Sequence, residues 1–227
     1  MKLRLMAPAI AAAFVSCAVA PAIAADMPAK PIYKAAPQFE TFNPWMIRLR
    51  GLGVVTRNSG HVDQVAGSGL TTTDTIVPEL DITYFFTKNI AAELILGVTK
   101  HHVTGTDTIA GLDVGKAWLL PPTLTLQYHF TDLGAFKPYV GAGVNYTVFF
   151  SQTAGGGAVT SSKLKNTAAP AVQIGFDYMI DKHWGFNVDV KKLWLRPSWE
   201  GTVGGVPMTG KVNLDPWLIG AGITYKF

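Results

Sequence analysis

The feature that most constrains this chain is a set of short segments in which apolar and other residues alternate. The final stretch, DPWLIGAGITYKF, puts Trp217, Ile219, Ala221, Ile223 and Tyr225 on one face and mostly small or polar residues on the other. Because successive side chains of a β-strand point to opposite faces, a period of two predicts a strand whose faces meet different environments. Seven further segments show the same period: residues 45–55, 76–86, 91–99, 123–130, 138–150, 172–180 and 184–191.

The composition agrees with a chain made of strands and turns. Of the 227 residues 48% are hydrophobic and only 15% are charged, which is too apolar for a disordered protein. The 23 glycines and 14 prolines disfavour long helices, because both residue types destabilise a helix interior. The formal net charge is +4, and no Lys/Arg cluster follows the N-terminus, so the sequence predicts no nucleic-acid partner.

The first 25 residues are predicted to be a removed signal peptide. They contain the early cations Lys2 and Arg4, an apolar middle and the small-residue pattern AIA at residues 22–24. The chain's single cysteine, Cys17, falls inside this segment, so the mature protein is expected to have no thiol. Residues 26–44 hold four prolines without periodicity and are predicted to be a periplasmic Pro-rich N-terminal segment, followed by a barrel over residues 45–227.

The connections between the alternating segments differ in length. Residues 87–89, 131–137 and 181–183 are short turns, whereas residues 56–75, 102–115, 151–167 and 195–214 are long and rich in Gly, Thr and Ser. Eight strands joined in this way predict an antiparallel up-and-down meander, with both termini at the short-turn end.

The two faces distinguish a soluble barrel from a membrane barrel. The less apolar face carries glycines and isolated charges of both signs, which suit a narrow interior better than a solvated surface. The apolar face carries Trp and Tyr near the strand ends, as the interfacial girdles of a membrane barrel require. The sequence therefore predicts an all-β fold: an eight-stranded antiparallel up-and-down transmembrane β-barrel with short periplasmic turns and long extracellular loops.

Several blocks in order resemble one known family. Residues 77–97 (VPELDITYFFTKNIAAELILG), 120–130 (LPPTLTLQYHF), 138–150 (PYVGAGVNYTVFF) and the C-terminal DPWLIGAGITYKF are similar to the OmpW family of eight-stranded outer-membrane proteins. The resemblance implies location in the outer membrane, contact with its lipid and lipopolysaccharide, and passage of small hydrophobic molecules across it. The terminal Phe227 also resembles the signal recognised by the barrel assembly machinery.

The predicted lumen contains charges of both signs. Opposite charges in a confined interior should pair, because burying an unpaired charge is costly. The arginines of the first strand neighbour acids of the second, and closure is expected to bring Lys226 alongside them. The network serves either as a structural salt-bridge plug or in binding a solute. Its predicted members are Arg48, Arg50, Glu79, Asp81, Glu93, Asp177, Asp189, Lys191 and Lys226.

Towards the long loops the inward positions become apolar. We expect an apolar collar there, acting as a gate for a hydrophobic solute or as packing that stabilises the barrel mouth. Pro78 and Pro170 lack an N–H for the strand ladder and mark places where the wall is expected to open sideways. The predicted collar residues are Leu52, Val54, Val77, Phe149, Leu193 and Leu218.

A second hypothesis is a surface or anchoring barrel that transports nothing and whose loops bind a host factor, a phage or an envelope protein. The loops offer Trp199 as one aromatic anchor for such a partner, and their composition otherwise favours mobility. No catalytic residue, cofactor or metal site is predicted. His101 and His102, being adjacent on a strand, point to opposite faces and are poorly placed to share a metal.

Overall fold

The computed structural model describes residues 43–57 and 59–227. The predicted signal peptide, residues 1–25, and residues 26–42 of the predicted periplasmic segment lie outside these ranges. The described chain is all-β. Within it, no helix is both long enough and apolar enough to cross a bilayer.

Fifteen strands make up the described chain. They are β1 Trp45–Val55, β2 Ser59–Val62, β3 Ser68–Thr72, β4 Thr75–Phe85, β5 Ile90–Gly97, β6 Thr99–Asp107, β7 Asp113–Leu120, β8 Thr123–His129, β9 Phe136–Ala154, β10 Val159–Leu164, β11 Thr167–Met179, β12 Trp184–Leu193, β13 Ser198–Val203, β14 Val206–Asn213 and β15 Trp217–Lys226.

Eight of these strands close into a barrel in chain order. β1, β4, β5, β8, β9, β11, β12 and β15 each pair antiparallel with the next, and β15 returns to β1. The closing ladder runs from Met46↔Lys226 to Val55↔Trp217. The predicted eight-stranded up-and-down barrel is therefore confirmed, and closure pairs the first strand with the last.

The alternation separates an inner polar face from an outer apolar one. On β1, Arg48 is 0% exposed inside the barrel, whereas its neighbour Leu49 is 53% exposed on the outside. Aromatic residues form a lower belt at the short-turn end, where Trp45 packs edge-on against Tyr84 with ring centroids 4.9 Å apart. An upper belt circles the outside towards the other end and consists of Trp118, Tyr146, Phe150, Trp194 and Trp217.

The two belts are separated by the thickness of a membrane barrel's apolar band. Trp184 belongs to the lower belt and Trp194, ten positions later, to the upper one. Ten residues rise about 33 Å along a strand, or about 25 Å along the barrel axis at a tilt of roughly 40°. This height matches the band that faces hydrocarbon in outer-membrane barrels.

The predicted long loops consist mostly of paired strands. β3, β6 and β7 continue the sheet beside the upper part of β9, and β10, β13, β14 and β2 form a separate four-stranded sheet. We call this part of the chain the upper extension. Its inward residues alternate as in the barrel, and Val62, Leu70 and Val212 are among those buried. Two glycines at positive φ, Gly204 and Gly205, form the hairpin tip between β13 and β14.

Candidate functional site

The barrel interior has a charged layer in its lower half. We call it the charge layer: Arg48, Arg50, Glu79, Asp81, Glu93, Asp177, Asp189 and Lys191. Each of these side chains is at most 3% exposed. They come from strands around the barrel, because inward positions of the same height converge on the axis of a small barrel. The charge layer thereby fills the cross-section at this height.

Arg48 binds acids on two strands that do not neighbour its own. Its Nε and Nη2 donate to the two carboxylate oxygens of Asp177 at 3.0 and 2.6 Å. Its Nη1 contacts Glu93 and donates to Thr83 Oγ1 at 3.2 Å. This two-pronged geometry is one that arginine makes with carboxylates and lysine cannot.

Arg50 and Lys191 form the second half of the charge layer. Arg50 Nη2 lies 2.7 Å from Glu79 Oε1 and 2.5 Å from Asp81 Oδ2. Lys191 Nζ donates to Glu79 Oε1 at 3.0 Å and lies 2.7 Å from Asp189 Oδ1. All the predicted lumen charges except Lys226 are thus brought together.

Lys226 lies below the charge layer, so its predicted place beside the arginines was wrong. The β1–β15 register pairs Lys226 with Met46 and gives Arg48 the partner Thr224. Thr224 Oγ1 donates to Asp177 Oδ1 at 2.7 Å. Lys226 Nζ instead lies 5.0 Å from the centre of the Phe85 ring, in the lower mouth of the barrel.

Neutral side chains complete the charge layer, and the sequence analysis missed their role. The charge layer holds five carboxylates and three cations, so uncharged donors are needed to satisfy the remaining acceptors. Gln173 Nε2 donates to Glu93 Oε1 at 3.2 Å, and Asn187 Nδ2 donates to Asp177 Oδ1 at 3.0 Å. Both residues occupy inward positions of the alternating pattern, which was the available signal.

Tyr139 is a further missed member of this part of the lumen. It is 0% exposed, its ring centre lies 4.8 Å from Arg48 Cζ, and its hydroxyl donates to Asp189 Oδ2 at 3.3 Å. The paired position on β11 is Gly175. A Cβ there would lie 2.6 Å from the Tyr139 hydroxyl oxygen, so only glycine leaves room for this ring.

An apolar ring lies directly above the charge layer, at the positions predicted for the collar. Leu52, Val54, Leu193 and Leu218 are 2–8% exposed and line one cavity. The other two predicted collar residues, Val77 and Phe149, do not line this cavity and pack in the same apolar cluster.

The cavity inside the collar reaches from the charge layer to the barrel wall. Its floor includes Glu79, a member of the charge layer. One side is lined by Gly97, Thr99 and His101, where β5 ends and β6 begins. A hydrogen bond fixes the His101 ring, whose Nδ1 lies 2.8 Å from Thr73 O. The sequence analysis considered His101 only as half of a metal pair and missed this position in the cavity wall.

The wall beside this cavity is interrupted between β4 and its neighbour. The β4–β5 ladder ends at Glu79↔Gly97, and further towards the loops Thr73 N donates to His102 O at 3.3 Å. Pro78, which has no N–H to donate, lies in the interval. We call this interval the wall break. Here a few residues of β4 are paired only on the β1 side.

At Pro170 the wall is continuous on the β9 side, whereas the β11–β12 ladder on the other side ends one residue away, at Ala171↔Leu193, so the opening there stays a prediction. Pro170 pairs with Val144 inside a β9–β11 ladder that runs from Thr167↔Thr147 to Tyr178↔Phe136. Its carbonyl also accepts a hydrogen bond from Trp194 N at 3.3 Å. A proline on the outer face of this strand is tolerated without breaking the sheet.

The apolar cluster continues from the collar into the upper extension, and Trp199 belongs to it. Trp199 is 2% exposed and its Nε1 donates to Ser162 Oγ at 2.9 Å. It lines a second apolar cavity together with Val62 and Met208. Its predicted role as an exposed anchor for a partner was wrong, because the paired strands of the upper extension enclose it.

Comparison with known proteins places these features in one family. The family model described as OmpW family matches residues 46–227. An uncharacterized outer-membrane protein, y4mB, from Sinorhizobium fredii (strain NBRC 101917 / NGR234) is 51% identical, covering 96% of this chain and 94% of its own. The dibenzothiophene metabolism operon protein PahQ from Pseudomonas aeruginosa is 30% identical, covering 85% of this chain and 93% of its own.

Among solved structures, the chain resembles an outer-membrane barrel from the same Pseudomonas species. The crystal structure of the outer membrane protein OprG from Pseudomonas aeruginosa matches with a TM-score of 0.74 and 28% identity. The match covers 81% of this chain and 95% of OprG. The long strands and the closed ring described above are therefore shared with an experimentally determined membrane barrel.

Proposed function

The chain belongs to the OmpW family of outer-membrane β-barrel proteins, and from this premise we propose that it passes small hydrophobic molecules across the outer membrane. The observation that carries the proposal is the apolar cavity inside the collar, which ends on a charged floor and on a break in the wall. The proposed function is passive passage, without catalysis.

The collar supports selection of apolar solutes. A solute entering from the loop end meets the apolar cluster of the upper extension and then Leu52, Val54, Leu193 and Leu218. Displacing such side chains with an apolar molecule preserves the burial of apolar surface, whereas a polar solute loses its hydration there without gaining partners. We propose that the collar acts as the gate.

The charge layer supports a sideways exit. A hydrophobic solute cannot replace the ion pairs of Arg48 and Arg50, so passage straight down the axis would leave buried charges without partners. The wall break borders the same cavity, through Glu79, Gly97 and Thr99, near the upper aromatic belt, which supports an exit towards the lipid at this place. We propose that the solute leaves there into the bilayer, with Pro78 keeping the ladder open.

One relative supports the class of solute. The printed name of PahQ assigns that protein to an operon for dibenzothiophene metabolism. Dibenzothiophene is an uncharged three-ring aromatic compound, and a molecule of this kind fits an apolar gate. For this chain we propose small uncharged aromatic or aliphatic molecules as the solutes.

The C-terminal strand supports assembly by the barrel assembly machinery. Phe227 is 46% exposed and packs edge-on against Tyr225, with ring centroids 4.9 Å apart. Its N–H donates to Trp45 O at 3.2 Å, which joins the chain's last residue to the start of β1. We propose that the machinery recognises this strand before β15 closes onto β1.

A reversible cross-link across the wall break tests the sideways exit. Continuing the β4–β5 register past Glu79↔Gly97 brings Val77 opposite Thr99. In Val77→Cys with Thr99→Cys, oxidation is expected to lower delivery of an apolar dye to lipid by more than about tenfold, because the exit must open for release. The measurement is dye transfer in lipopolysaccharide-containing vesicles before and after oxidation and again after reduction.

A cross-link inside the intact ladder serves as the matched control. Ile82 pairs with Leu94 on the outer face of β4 and β5. Ile82→Cys with Leu94→Cys is expected to leave dye transfer unchanged on oxidation. Equal transfer in the oxidised and reduced forms of the Val77/Thr99 variant would contradict release through the wall break.

A further inference from the structure

The outer face of the barrel carries a groove centred on β12. Val190 of β12 is flanked by Ile174 of β11 and Ile219 of β15, and the next outward position, Lys192, is flanked by Val172 and Trp217. The groove measures about 420 Å³. Its lining faces lipid: Val172, Ile174, Val190, Lys192, Trp194 and Trp217.

Three cations gather at the upper end of this groove around one buried acid. Lys192 Nζ donates to the carbonyl of Asp215 and lies 5.0 Å from the centre of the Trp217 ring. Arg196 Nε donates to Asp215 Oδ2 at 2.9 Å, and Arg196 Nη2 lies 2.8 Å from the same oxygen. Arg57 is adjacent, since its N–H donates to Leu214 O at 2.9 Å.

The cluster formed by Arg57, Lys192 and Arg196 around Asp215 carries a net positive charge that faces outward. Asp215 is 2% exposed, whereas the Arg196 side chain is 54% exposed. Asp215 thus fixes the guanidinium in place and leaves much of it accessible. Hydrogen bonds to Asp215 also raise the pKa of Arg196, so it stays charged under all physiological conditions.

The groove lies at the height where lipid phosphates are found. Trp194 and Trp217 belong to the upper belt, and tryptophans in such belts lie at the headgroup level. Below them Val190 and Ile174 face the hydrocarbon, and above them Arg196 extends beyond it. An apolar groove ending in a fixed cation cluster is complementary to a lipid with acyl chains and a phosphate.

We propose that this groove is a specific binding site for one phosphorylated, multi-chain lipid of the outer leaflet, with the chemistry of lipid A. One acyl chain lies along Val190 between Ile174 and Trp217. The phosphate is bound by Lys192 and Arg196. The site is on the outside of the wall, so the proposal is independent of the path taken by solutes through the barrel.

Native mass spectrometry of the full-length mature protein in detergent tests this site. Bisphosphorylated lipid A is added, and the retained lipid is compared in wild type and in Lys192→Gln with Arg196→Gln. Retention is expected to fall more than about tenfold, because the charge-assisted contacts of Lys192 and Arg196 with the phosphate are lost. Phosphatidylcholine, a zwitterion whose single phosphodiester charge is offset by its choline cation, is expected neither to be retained nor to displace lipid A.

Two further variants keep the test decisive. Ile174→Trp fills the groove from the lipid side without touching Asp215, and it is expected to lower retention even if the double variant folds poorly. Lys100→Gln removes a cation that lies 5.3 Å from the Trp118 ring in the same belt, away from the groove, and is expected to change nothing. Folding is monitored by heat-modifiable gel migration.

Two results would overturn the proposal. Equal retention of lipid A by wild type, the double variant and Ile174→Trp would reduce the bound lipid to a non-specific annulus. Equal retention of phosphatidylcholine and lipid A would show that the cation cluster does not select a headgroup with net negative phosphate charge.

Discussion

Replacing Leu52 and Phe149 together by arginine is expected to abolish passage of apolar solutes. Leu52 lines the collar cavity, and Phe149 packs in the same apolar cluster. Two guanidinium groups there would keep water in the collar and make it costly for an apolar molecule to enter. Uptake of an apolar dye by lipopolysaccharide-containing vesicles is expected to fall to the protein-free rate, a loss of more than about tenfold.

The control for this variant keeps the collar apolar. Leu52→Met with Phe149→Leu changes side-chain shape without introducing charge and is expected to keep most of the uptake, because similar hydrophobic residues repack at small cost. Both variants are compared only after heat-modifiable migration shows a folded barrel. Normal dye uptake by a folded double-arginine variant would rule out the collar as the gate.

Removing Arg48 is expected to cause the largest loss of stability. Arg48→Leu leaves Asp177 and Glu93 buried without their cation, although each keeps some neutral donors. Breaking a buried pair by removing one partner costs about 3–5 kcal/mol. The measurement is urea-induced unfolding of the barrel in vesicles, followed by tryptophan fluorescence, where a lower midpoint at unchanged slope reports the loss.

An exposed ion pair provides the comparison for this loss. Lys88 and Asp132 lie 3.6 Å apart with side chains 70% and 83% exposed. Lys88→Ala is expected to leave the midpoint almost unchanged, because water and salt screen such pairs. If Arg48→Leu and Lys88→Ala shifted the midpoint equally, the charge layer would not be a stabilising network of buried ion pairs.

Strand positions could be predicted because burial enforces the alternation. β1 begins at Trp45 and ends at Val55, as predicted, since each inward residue faces the lumen and each outward one faces lipid. The upper extension was not predicted. Its strands are short and rich in Thr, Ser and Gly, so their composition resembles that of loops, and breaks such as Pro121–Pro122 hide the continuing period.

The residues of the charge layer could be predicted from the sequence, but only some of the contacts between them could. The register does pair Arg48 with Asp81, as neighbouring strands suggested. The Arg48 side chain nevertheless reaches across the lumen to Asp177 of β11. Which groups meet across a barrel depends on shear and side-chain length, and neither can be obtained from the pattern of one strand.

The wall break also required three-dimensional information. Pro78 and Pro170 are equivalent as sequence signals, because each removes one ladder donor. In the structure the β4–β5 ladder stops beside Pro78, and the β11–β12 ladder stops beside Pro170, where Trp194 N still donates to the Pro170 carbonyl. The gap beside Pro78 is the one that borders the collar cavity, because Gly97, Thr99 and His101 line that cavity.

The most direct test of the proposed function is a comparison of two solutes of similar size, one apolar and one polar. Uptake is measured in lipopolysaccharide-containing vesicles with and without the folded wild-type protein. We predict that the protein accelerates uptake of the apolar solute and leaves the polar solute at the protein-free rate. Acceleration of neither solute, or equal acceleration of both, would contradict passage through an apolar gate above a closed charge layer.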